Sequence, residues 1–96
     1  MLDKVPVPIH NLSNLIALDL SWNRIPHLPK DYPNWKKLTE INLIGNPIAS
    51  IPDSLLSLPK LKRVFLPVSC RNERERLEKA YPNIEFNSYT STKERR

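Results

Sequence analysis

The side chains able to do chemistry in this 96-residue chain are few and scattered. There is one cysteine, Cys70, and there are two histidines, His10 and His27, both far from it in sequence. A metal centre needs several Cys or His ligands at short spacing, so no metal is expected, and a lone cysteine closes no internal disulfide. The crowded carboxylates Glu73, Glu75 and Glu78 alternate with Arg71, Arg74, Arg76 and Lys79. That pattern reads as charge pairing along a helix, not as an acid–base couple. No Ser/His/Asp or Cys/His arrangement is supported by spacing. A single glycine leaves no room for a glycine-rich phosphate loop. No catalytic residue and no cofactor are expected, and the chain reads as a non-enzyme.

What remains is chemistry of recognition, and a repeat positions it. Leu15, Leu18, Leu20, Asn23 and Ile25 return 23 residues later as Leu38, Ile41, Leu43, Asn46 and Ile48. Both stretches fit L-x-x-L-x-L-x-x-N-x-L. A third copy keeps Leu61, Val64 and Leu66, then departs at Ser69 and Arg71. The other half of the unit repeats too. Ile25, Leu28, Tyr32, Trp35 and Leu38 align with Ile48, Ile51, Leu55, Leu58 and Leu61, and backwards with Leu2, Val5, Ile9, Leu12 and Leu15; Pro6, Pro29 and Pro52 share one position.

Each unit alternates apolar and polar residues around its middle leucines, as a short strand does. Successive strands are expected to pair in parallel on a concave face. Asn23 and Asn46 then stand at turns inside the fold, where a side-chain amide offers two donors and an acceptor to backbone groups cut off from water; they form a structural asparagine ladder. The returning half has apolar residues every three or four positions beside a proline, which suits an extended, 3₁₀ or single-turn helical segment. Trp35 and Tyr32 fall there, as core.

The third copy turns into a cap. Residues 70–80 have helical propensity. Ser69 or Asn72 serves as N-cap, Asn72 with Glu75 making a capping box. Arg71–Glu75, Arg74–Glu78 and Glu75–Lys79 are pairs four apart. Leu77 and Ala80, with Cys70, supply a thin apolar stripe. Pro82 ends the helix, and Ile84 and Phe86 follow as a last strand. The expected organisation is one domain over 1–87, with units at about 1–14 (partial), 15–37, 38–60 and 61–87 (degenerate, capping helix 70–80), and a flexible basic tail over 88–96.

The two full units resemble the 23-residue leucine-rich-repeat class with an "L-P" convex segment. The run Ser69-Cys70-Arg71-Asn72-Glu73-Arg74-Glu75-Arg76-Leu77 to Tyr81-Pro82-Asn83-Ile84-Glu85-Phe86 is similar to the closing unit of small bacterial leucine-rich-repeat proteins, abundant in leptospires, with Tyr81 where leucine is usual. The resemblance implies an α/β solenoid: a short curved parallel sheet on the concave face, 3₁₀ or short helical convex segments, and a helical cap. It also implies protein–protein interaction, in some members at host surfaces as secreted or surface-associated proteins. The partner is unknown. A fragment or accessory of a larger repeat effector or enzyme is an alternative.

A partner of such a fold meets the variable strand positions. Trp22, Ile44 and Phe65 are apolar where water is expected, with Asp19, Glu40, Asn42 and Arg63 around them. One reading makes these seven the partner site. The other has Phe65 and Val68 covered by the cap and Trp22 packed on the loop edge. Three repeats are usually needed for a stable stack, and the strand around Leu18 would be an open edge, so self-association by edge pairing or exchange of an element is expected, with Cys70 either reinforcing a dimer or buried as a small apolar group.

Charge adds one more theme. Residues 1–59 carry five Lys/Arg against five Asp/Glu, and residues 60–96 carry ten against five, which places the whole +5 in the last third. Lys60, Lys62, Arg63, Arg71, Arg74 and Arg76 are interleaved with acids and lack stacking aromatics, so nucleic acid is not the expected partner, and weak polyanion or nucleic-acid binding through this basic third is a further alternative. No apolar run approaches the roughly 20 residues that cross a bilayer, so no membrane partner is expected. The chain reads as soluble, cytoplasmic by default, and secreted or surface-exposed if a signal peptide was removed.

Overall fold

The computed structural model describes residues 2–30 and 34–88. Four short strands make one parallel sheet in chain order: β1 (Ala17–Asp19), β2 (Glu40–Asn42), β3 (Arg63–Leu66) and β4 (Glu85–Ser88). Leu18 lies beside Ile41, Ile41 beside Val64, and Val64 beside Phe86. The sequence period is therefore the pairing register for the first three strands, while the last partner arrives one residue early. Parallel neighbours need a crossover of about a dozen residues or more, which each unit supplies.

The crossovers are irregular because proline punctuates them. Single helical turns appear twice, α1 (Val7–His10) ahead of β1 and α2 (Asp53–Leu56) in the β2–β3 crossover, each entered from an extended proline: Pro6 at φ −60° and Pro52 at φ −65°. A fixed φ near −65° starts a turn readily, but such short turns hold only by packing. The two turns stand two periods apart, so one device is used twice. Tyr32, in the intervening unit, lies outside the described residues.

The core lies between the sheet and these crossovers. Ile41, Val64 and Phe86 form a buried row, Leu20, Leu43 and Leu66 a second, and Trp35, Ile25, Ile48 and Leu55 fill the space behind. Trp35 is core, and its indole N–H donates to the carbonyl of Ile9 at 3.0 Å. Each buried aliphatic side chain contributes about 1.5–3 kcal/mol over its exposed state.

The cap differs from the expected 70–80 helix. A 3₁₀ segment (Val68–Glu73) comes first, and only Arg74–Ala80 is α-helical, α3. The N-cap of α3 is Glu73, with no side-chain cap bond, so neither the Ser69 cap nor the Asn72–Glu75 box forms. The Ser69 hydroxyl is spent elsewhere: it donates to the carbonyls of Ile48 and Asn46 in the preceding unit. Arg74–Glu78 (3.2 Å) and Lys79–Glu75 (3.3 Å) pair as expected. Arg71 lies in the 3₁₀ segment, out of phase with Glu75, and among the described residues that third pair is absent; Arg76 with Glu73 at 2.5 Å takes its place. Cys70 and Leu77 are buried, but Ala80 is exposed, so the apolar stripe is those two alone. Ser88 belongs to β4, where its hydroxyl accepts from Arg74 at 2.9 Å, rather than to a tail; residues 89–96 lie outside the described set.

β1 stands at the open side of the sheet. Thr39 N–H and Glu40 N–H donate to the Ile16 carbonyl, while Leu20 N–H and Trp22 N–H donate to Asn42 and Ile44. Even-numbered residues thus face β2, and the backbone groups of Ala17 and Asp19 point away from it. Leu15 and Leu18 are only half-buried, where Leu38, Leu61, Ile41 and Val64 are buried. The first strand has a neighbour on one side only, where β2 and β3 have one on each side.

Candidate functional site

The outward face of the sheet is built in columns. Glu40, Arg63 and Glu85 stand side by side on β2, β3 and β4. Arg63 sits between the two acids, 3.1 Å from Glu40 and 3.6 Å from Glu85. Such exposed pairs are worth about 0.2–1 kcal/mol each. Ala17 holds the same position on β1 and continues the column without charge.

The next column is Asp19, Asn42, Phe65 and Asn87. Its first two members shape the backbone. Asp19 accepts both the N–H (2.9 Å) and the hydroxyl (2.5 Å) of Ser21, and Asn42 accepts the N–H of Ile44 at 3.0 Å. Both close the chain two residues on, as Asx side chains do at turns. These bonds, the hydroxyl's first, hold the Asp19 carboxyl below its ordinary value. Phe65 is half-buried between two asparagines.

Beyond the strands the chain turns sharply, and there Trp22 and Gly45 share one position. Both have positive φ, 59° for Trp22 and 80° for Gly45. Glycine takes this region freely, but a bulky side chain there costs about 1–2 kcal/mol. The Trp22 indole lies over Gly45 so closely that a Cβ on Gly45 would collide with its Cε3. Trp22 is still 57% exposed, and Val68, the third member of this position, is 58% exposed. Ile44 is half-buried, its carbonyl receiving Trp22 N–H at 2.7 Å. The cap therefore leaves Val68 open, and Trp22 both packs on a neighbour and meets water.

Behind this surface, Asn23 and Asn46 hold the turns. Asn46 is buried; its amide donates to the carbonyls of Leu20 (2.9 Å) and Leu43 (3.1 Å), and its oxygen accepts Ile25 N–H at 3.0 Å. Asn23 does the same one unit earlier, to Leu20 O (2.8 Å) and from Leu2 N–H (2.9 Å). At the third site Ser69 cannot span both directions. Cys70 fills the core position there instead, its thiol 3.2 Å from the Ile48 carbonyl, and burial, with Glu73 nearby, pushes that thiol up to about 11. Of the two expected roles for Cys70, burial as a small apolar group is the one its position matches.

The seven expected partner residues thus fall on one side, Asp19, Asn42, Glu40, Arg63 and Phe65 on the strands and Trp22 and Ile44 just past them. Glu85, the third charge of the ladder, escaped the sequence reading because the last unit is one residue short. Among the described residues no cluster of three Cys, His, Asp or Glu side chains is placed to hold a metal. The His10 ring meets Trp35 edge-on at 6.3 Å, with its Nε2 buried and unbonded.

No protein-family model matches this chain. It is 44% identical over 86 residues to Ras guanine nucleotide exchange factor V of Dictyostelium discoideum, a match that covers 75% of this chain and 4% of that protein. The chain spans a small fraction of the length of that relative.

Proposed function

We propose that the chain is a leucine-rich-repeat solenoid that works as a non-catalytic protein-binding module, using the outward sheet face and the turn beyond it. The observation that carries this reading is Trp22. A large indole is held at positive φ, propped on the one glycine of the chain, and left more than half exposed. Strain and apolar exposure at one residue are both unfavourable, and such residues concentrate at binding sites. Phe65 and Val68 extend the apolar surface. The Glu40–Arg63–Glu85 ladder is internally neutralised to a net charge of one, so capture should rest on apolar contact and respond weakly to salt. The exchange activity named for the Dictyostelium protein is not carried over, because the shared stretch is 4% of it.

The test uses Trp22→Asn combined with Phe65→Ser. Asparagine tolerates the left-handed region, so the turn is preserved while the indole is removed. Proteins captured by the wild type are identified and titrated against both forms. A hot-spot tryptophan is worth about 2–4 kcal/mol, so affinity should fall by roughly 30-fold or more with the urea midpoint nearly unchanged. Equal affinity of the two forms would remove Trp22 and Phe65 from the site.

A further inference from the structure

Charge on the described residues is segregated along one edge, the loops that lead into the strands. Residues 11–16, 34–39, 57–62 and 80–84 contain no Asp or Glu, and they hold Lys36, Lys37, Lys60 and Lys62, all exposed. The rest of the described chain carries eight Lys/Arg and eight Asp/Glu. The whole described excess of +4 therefore sits on this edge. The acids that follow it in the chain, Glu40 and Glu85, are both taken by Arg63.

The backbone lines these loops up. The Ile16 carbonyl receives Thr39 N–H at 2.8 Å, the Thr39 carbonyl receives Lys62 N–H at 2.8 Å, and the Lys62 carbonyl receives Glu85 N–H at 2.8 Å. One row thus runs Ile16, Thr39, Lys62. A second runs Asn14, Lys37, Lys60, its first step fixed by Lys37 Nζ at 3.1 Å from Asn14. Apolar side chains stand among the lysines: Ile16 is 60% exposed, and Leu12, on an open depression of about 420 Å³ lined by residues 11–15, is 49% exposed.

We propose that this edge docks on an anionic phospholipid surface, the lysine ammonium groups meeting headgroup phosphates and Leu12 and Ile16 reaching the boundary of the acyl region. Lysines near an anionic bilayer and exposed apolar side chains are the two signals that together hold a peripheral protein. Single-stranded nucleic acid would also be drawn by the charge, but it binds by stacking on aromatic faces. On this edge Trp35 is buried, and Tyr81 is half-buried with its hydroxyl donating to Asp53 at 2.8 Å. The expectation of no membrane partner rested on crossing the bilayer; among the described residues no helix is long and apolar enough for that, and an interfacial contact requires none.

Co-sedimentation of the full chain with phosphatidylcholine vesicles, with and without phosphatidylserine, tests this. Binding should require phosphatidylserine and weaken with salt. Each lysine is worth about fivefold near such a surface, so Lys37→Gln with Lys60→Gln should lower binding by about 25-fold. Leu12→Ser with Ile16→Ser should lower it severalfold with all charge retained, and Arg24→Gln with Lys30→Gln should leave it unchanged. Circular dichroism confirms that each variant is folded. Equal binding to neutral vesicles overturns the proposal. So does a short RNA bound with the same lysine dependence while Leu12 and Ile16 make no difference, an outcome that assigns the edge to nucleic acid.

Discussion

Asn46 shows how much a single side chain can hold. Its buried amide serves three backbone groups in two units. Replacement by leucine strands those groups, and unsatisfied buried partners cost about 1–3 kcal/mol each before relaxation. Asn46→Leu should lower unfolding free energy by about 3 kcal/mol or more in a urea titration, and Asn23→Leu, at a half-buried turn, by about half as much. Cys70 gives a prediction in pH. Its thiol is raised to about 11 in the fold, so the unfolded chain releases that proton first as pH climbs. The stability tied to the neutral thiol is complete below the ordinary thiol range and is lost as pH rises toward 11. The Tyr81 hydroxyl, raised chiefly by its bond to Asp53, acts in the same direction. Thermal melts should therefore drop steeply above about pH 9, and Cys70→Val should flatten part of that drop. At neutral pH an alkylating reagent should modify Cys70 only as fast as the molecule opens.

At the level of elements, β1 and β4 are the edges of the described sheet, and β1 has backbone groups that point away from its one partner. Residues 9–18, which lead into β1 and form most of it, contain no proline and no Asp, Glu, Lys or Arg, so they lack the residues that usually guard an edge. We expect self-association through this strand, seen as a concentration-dependent sedimentation coefficient. Ala17→Pro is the informative variant. The Ala17 N–H faces away from β2, so proline there removes an edge donor and spares the β1–β2 ladder. The variant should sediment as a monomer; if it associates as the wild type does, the edge is not the contact. Element boundaries also show where sequence reading succeeded. The strands around Leu18, Ile41 and Val64 were legible because apolar alternation and a constant period agreed. The cap was legible only as a helix of some kind. Propensity from Arg71 onward favours α-helix, but Pro67 and the pull of Ser69 toward the Ile48 carbonyl bend the first turns into 3₁₀ geometry, and that pull comes from another unit.

Taken as a molecule, the fold depends on contacts between successive units more than on any one of them. Hydrogen exchange should reflect this: amides of Ile41, Leu43 and Val64 should be protected most, and those of residues 2–14 least, because that segment is held from one side only. Uniform protection along the chain would show that the units unfold together. The candidate surface was legible by position and not by behaviour. Column arithmetic placed Glu40 beside Arg63 and Asn42 beside Phe65. It could not show that Asp19 and Asn42 are engaged with their own turns, nor that Trp22 rests on Gly45, since both depend on backbone angles that residue type alone does not fix.

The Glu40–Arg63–Glu85 column has a further consequence, for assembly fidelity. β2 and β4 both carry a glutamate in this column, so the errors to compare are β2 paired with β4 and β2 paired with β2 of another molecule. In this column both errors set glutamate against glutamate, whereas the native order sets each against arginine. Alternating sign should therefore favour the native strand order by a small margin, one that salt screening reduces. Ala17 carries no such mark. Pairing at the first strand is therefore not selected by charge in this column.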